Sequence, residues 1–128
     1  MRYYINRTLS RSFDQVLEQV EAGLKEQGFG VLTEIDVKAT FKKKLDVDFR
    51  RYKILGACNP PFAYQAFQAD DKIGILLPCN VIVQELDDGQ VEVAAMDPVT
   101  AMQMIENAQL TAVAAQVRAR LEAMIDNL

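Results

Sequence analysis

The stretch IGILLPCNVIVQELDDGQVEVAAM, residues 73–96, decides the fold. Residues 73–86 are apolar and β-branched, and read as the longest strand of the chain. Residues 91–96 read as another. Between them, Asp88-Gly89 suits the positive φ of a tight hairpin turn, so the two strands pair antiparallel. Pro78 cannot donate to a ladder, which predicts a bulge or a sheet edge there.

On the C-terminal side, Asp97-Pro98 reads as a helix cap followed by proline at the first helical position. Leu110, Val113, Val117, Leu121, Met124 and Leu128 then recur at spacings of three and four. That stripe predicts an amphipathic helix laid on a sheet, separated by Asn107 from a short helix at 98–106. On the N-terminal side, Asn59-Pro60-Pro61 ends a strand over 49–58 and starts a helix that Asp70-Asp71 closes. In that strand Tyr52, Ile54, Gly56 and Cys58 share one face. A short helix over 38–45 carries its lysines toward water. Val31, Thr33, Ile35 and Val37 alternate with polar neighbours as in a half-buried strand. Ser12 and Gln15 have capping-box spacing at the head of a helix over 12–27, which Gly28 ends. Residues 2–9 form the first strand.

The order is strand, helix, four strands, helix, with short helices inserted. Runs of this kind predict an α+β fold, an antiparallel or mixed sheet with its long helices on one face. With 128 residues, half of them hydrophobic, residues 1–128 read as one domain able to bury a core without disulfides or structural metal.

The net charge of −4 argues against general nucleic-acid binding. No segment has the length of apolar sequence a membrane span requires, and the first residues lack the apolar core of a signal peptide. A cytoplasmic protein is expected, with its two cysteines reduced. Residues 38–53 carry +5 and the remainder −9. Within that basic stretch Lys42, Lys43, Arg50 and Arg51 are candidates to hold an anion. The plainer reading is a solvated charged face.

There is no histidine, which removes the commonest general base, the Ser-His and Cys-His pairs and the commonest zinc ligand. Gly28-Phe29-Gly30 lacks the third glycine of a dinucleotide fingerprint and reads as a helix stop. No cofactor and no metal site are expected. Glu85 and Glu92 are candidates to meet across the hairpin, on a solvent face.

One feature is repeated. Gly56-Ala57-Cys58-Asn59-Pro60 ends one strand and Leu77-Pro78-Cys79-Asn80 interrupts another. Each has Cys followed by Asn with a proline beside the pair. Irregular backbone there leaves N–H groups free to stabilise a thiolate or bind an anion, and asparagine adds a donor and an acceptor. The plainer reading is two small buried hydrophobes with asparagines that satisfy turns.

With Tyr52-Lys53-Ile54-Leu55 before the first segment, Ala63 after it, and Ile73-Gly74-Ile75-Leu76 before the second, the chain resembles the domain of unknown function 302 family. The likeness covers nearly the whole chain. It implies a β-α-β-β-β-β-α order, a curved antiparallel sheet of TATA-binding-protein-like type with helices packed on one face, and a homodimer. It implies no mechanism, and a fold likeness to a DNA-binding protein is no warrant for DNA binding.

The leading expectation is therefore a small ligand-binding or interaction domain of unknown function. Its candidate site is Cys58, Asn59, Pro60, Pro78, Cys79 and Asn80, against the helix that carries Phe62 and Phe67. The alternative is a thiol-based redox, sulfur-transfer or soft-metal protein that uses Cys58 and Cys79. A hydrolytic enzyme built on carboxylates has no residues singled out for it.

Overall fold

The computed structural model describes residues 2–128. Five strands form one open, curved antiparallel sheet: β1 (Tyr4–Leu9), β2 (Gly30–Asp36), β3 (Tyr52–Cys58), β4 (Cys79–Glu85) and β5 (Val91–Met96). Their spatial order is β1-β5-β4-β3-β2. Five helices accompany them: α1 (Phe13–Glu26), α2 (Val37–Leu45), α3 (Pro60–Ala69), α4 (Pro98–Met102) and α5 (Ala108–Asp126).

Local chemistry sets most boundaries. The Ser12 side chain accepts from the Gln15 backbone N–H at 3.2 Å, and the Gln15 side chain accepts in turn from the Ser12 backbone, completing a capping box. Gly28, at φ 86°, lies just past the end of α1. Asn107 caps α5 through bonds from the N–H groups of Gln109 and Leu110.

The alternation of side chains then makes two unlike sheet faces. On one, Leu55 pairs with Val81, Val81 with Ala95 and Ala95 with Ile5. That face packs against Phe13, Val16, Val20 and Leu24 of α1 and Val113, Val117, Leu121, Met124 and Ile125 of α5. On the other, Tyr52 pairs with Gln84, Gln84 with Glu92 and Glu92 with Thr8.

Several expectations are corrected. Ile73–Leu76 is a 3-10 turn, not strand, and β4 begins at Cys79. Pro78, cis to Leu77, therefore precedes the ladder and makes no bulge in it. A short apolar run fits a helical turn as well as a strand. Here Ile73 joins Ala66, Met102, Leu110 and Ala114 in a second core cluster. β3 begins at Tyr52, because Phe49 turns aside to pack edge-on against Phe41, ring centroids 5.2 Å apart. All seven residues of β2 are exposed, since it is an edge strand with a register break between Val31 and Thr33. Finally, Glu85 pairs with Val91 while Glu92 pairs with Gln84, so the two glutamates lie on opposite faces.

Candidate functional site

The two Cys-Asn segments meet through strand register. Ala57 pairs with Cys79 and Gly56 with Asn80, which sets the end of β3 beside the start of β4. Over this corner lies a cavity of about 270 Å³, closed by α3, the 3-10 turn, α4 and α5. Cys58, Asn59, Pro78 and Cys79 line it. Pro60 does not: it is the exposed first residue of α3. Asn80 is one residue beyond Cys79 and lines a separate cavity on the other face of the sheet.

The remaining walls are Phe62 and Phe67 of α3, Met102 of α4, and Val113, Ala114 and Val117 of α5, among others. The stripe along α5 identified Val113 and Val117 as buried, but periodicity does not say what a buried residue faces. Phe29 carried no sequence signal for a pocket.

Asn59 is the main polar side chain here. It is buried, and its Nδ2 donates to the Gln27 carbonyl at 3.2 Å. It makes no cap for α3. It therefore ties the β3–α3 corner to the end of α1, and closely: a Cβ on Gly28 would lie 3.2 Å from that same Nδ2.

The thiols are both free. Burial, with a smaller push from Cys58, raises Cys79 to about 11. At neutral pH it is a protonated apolar group, a poor nucleophile and a poor soft-metal ligand. Cys58 is half-buried. Among the described residues no three of His, Cys, Asp and Glu gather closely enough to hold a metal ion.

The basic candidates are not gathered into one site. Lys42 pairs with Asp46 at 2.9 Å and Asp48 at 3.5 Å, both just beyond the end of its own helix. Arg51 reaches Asp14 at 2.7 Å and lies 4.2 Å over the Phe13 ring. Arg50 goes the other way, over Phe49 and to Gln84 Oε1 at 3.3 Å. Lys43 is exposed on α2. Among the described residues no helix is long and apolar enough to cross a membrane.

A family model described as "Domain of unknown function DUF302" matches residues 5–128. The chain is also similar to a solved structure, "Crystal structure of uncharacterized conserved protein DUF302 from Bacillus stearothermophilus". The identity is 28%, the TM-score 0.91, and the match covers 98% of each chain. No curated protein matches. The resemblance carried by the two Cys-Asn segments is borne out.

Proposed function

The chain belongs to the DUF302 family, whose activity is not established, and from that premise we propose that it is a single-domain, non-enzymatic binder of a small, uncharged, apolar ligand. One observation carries this reading. Among the described residues none that lines the 270 Å³ cavity is charged, and Asn59 is the only amide there. Preformed apolar hollows with a few polar groups are the usual form of small-molecule sites. A dry cavity of roughly 150 Å³ is already enough to take benzene, so this one suits about a bicyclic ring.

The test is a titration with naphthalene, followed by NMR and by native mass spectrometry of the freshly purified protein. Saturable shifts confined to α3, α5 and the Cys-Asn segments are expected. Ala63→Leu, which enlarges a half-buried side chain of the lining, should abolish them while the protein stays folded. Shifts scattered over the surface, or none, would end this reading.

The same proposal includes a homodimer in the cytoplasm. Free cysteines suit a reducing compartment. The bare outer edge of β2 suits a second copy, because exposed strand edges invite pairing.

A further inference from the structure

The face of the sheet away from α1 and α5 holds a second cavity of about 460 Å³. We propose that it is a site for a small-molecule alkylammonium cation, formed by Tyr3, Tyr4, Tyr52 and Glu92. This is independent of the apolar pocket, which lies on the other side of the sheet.

Strand register builds the cavity. Tyr52, Gln84 and Glu92 occupy one transverse row, each paired with the next. In the adjacent row Asn6 pairs with Ala94, and Ala94 with Ile82. The small side chain of Ala94 leaves the floor low. Tyr4 pairs with Met96 a further row away, and Tyr3 packs edge-on against it, ring centroids 5.2 Å apart.

The carboxylate is fixed but not neutralised. Glu92 Oε1 accepts from Gln84 Nε2 at 2.7 Å, and its Oε2 accepts from Asn6 Nδ2 at 2.9 Å. Both donors are neutral amides. Among the described residues no lysine or arginine forms an ion pair with Glu92. A half-buried carboxylate held in one orientation, in a hollow that Tyr3, Tyr4 and Tyr52 also line, is what a cation without strong hydrogen-bond donors requires. The ring faces supply cation–π attraction and the carboxylate supplies charge. Burial, then Glu92, then Tyr3 push the Tyr52 phenol up against a smaller opposing pull from Arg50, as expected of groups gathered at one hollow.

The rings already attract a cation. The Arg2 guanidinium lies 4.8 Å from the Tyr4 ring centroid and also donates to Asn6. Arg50 stands at the opposite rim, donating to Gln84. The two arginines therefore flank the amides at either end, and the carboxylate between them faces the hollow. The formal charge around the hollow is one carboxylate against two guanidiniums, so the tyrosine faces together with the fixed Glu92, and not net charge, select a cation as the guest. It would share the Tyr4 face with Arg2 or displace it.

The experiment is an NMR titration of the intact chain with choline, with 3,3-dimethylbutanol as its neutral isostere, and with inorganic phosphate. Choline should give saturable shifts at Tyr4, Ile82, Glu92 and Met96. The isostere should bind about three- to thirtyfold more weakly, the range cation–π and charge contacts account for. Glu92→Gln should weaken choline by a similar factor. The comparison of choline with its isostere uses the wild-type chain, so it decides the matter even where the variant fails to fold. Equal binding of choline and isostere, shifts produced by phosphate in place of choline, or no shifts on this face would each overturn the proposal.

Discussion

Gly56 and Thr33 face each other across β3 and β2 so closely that a Cβ on Gly56 would lie 2.1 Å from Thr33 Oγ1. It would also lie 2.8 Å from Cγ of Pro78. The glycine that opens the Gly56-Ala57-Cys58-Asn59-Pro60 segment is thus required by packing. It lets β2 and the Leu77-Pro78 corner close over β3.

Gly56→Ala should therefore destabilise the protein by about 1–3 kcal/mol, the usual cost of overpacking a close contact. Thr33 can be trimmed but the Pro78 ring cannot swing away. Adding Thr33→Ala should recover part of the loss, not all of it. Urea unfolding of the single and double variants measures this. An unchanged midpoint for Gly56→Ala would show that the approach is looser than described.

Cys79 gives a pH dependence. Its thiol is raised from 9.0 to about 11, so the folded chain keeps a proton that the unfolded chain loses above pH 9. Its stabilising share is fully present below pH 9 and is lost between pH 9 and 11. That share is of order 2–3 kcal/mol. Tyr52 and Lys53 are also raised and lose stability in the same direction. The difference between wild type and Cys79→Ala isolates the thiol: the variant should show the shallower fall. Parallel curves would contradict the burial. At neutral pH an alkylating reagent should modify Cys58 alone until denaturant is added.

How far the sequence reached follows from the range of each interaction. The Ser12–Gln15 box, the Asp97-Pro98 helix start, the Asp88-Gly89 turn and the α5 stripe are local, and each stands where its residues indicated. Ile73–Leu76 failed because an apolar run four residues long has no period to read. β2 failed because alternation marks two faces without saying whether anything covers either one. The cavity at Cys58 and Cys79 needed the Ala57–Cys79 register, which depends on how α3 and the turn after it fold back. Tyr52 is far from Tyr3 and Tyr4 in the chain, and only the sheet order brings the three to one hollow.

Asp97 joins the helices that roof the apolar pocket. Its Oδ1 accepts from the N–H groups of Val99 at 3.0 Å and Thr100 at 3.4 Å, capping α4. Its Oδ2 accepts from Arg118 Nε of α5 at 3.0 Å. Asp97→Ala removes both contacts and should cost about 2–4 kcal/mol. Asp97→Asn retains an oxygen for the cap, and water can reach Arg118, so about 1 kcal/mol is expected. Thermal unfolding ranks the two variants, and equal losses would mean that the cap contributes nothing.

The outer edge of β2 is both open and apolar. Leu32 is 67% exposed and Ile35 48%, and nearby Leu45 is 65% exposed. Among the described residues no strand pairs with this edge. Strands left in this state usually carry a proline or a lysine as a guard, and residues 30–36 contain neither. Glu34, one of the two charged residues of β2, is engaged by Lys53 at 2.6 Å. A second copy that added its own β2 antiparallel about a two-fold axis would satisfy both edges at once and close the assembly. Ile35→Lys installs a missing guard at an exposed position outside the apolar pocket, so the fold should lose no more than about 0.5 kcal/mol. Sedimentation equilibrium should then read dimer for the wild type and monomer for the variant, with matching circular dichroism. A monomeric wild type, or a variant that still dimerises, would move the partner of this chain away from the β2 edge.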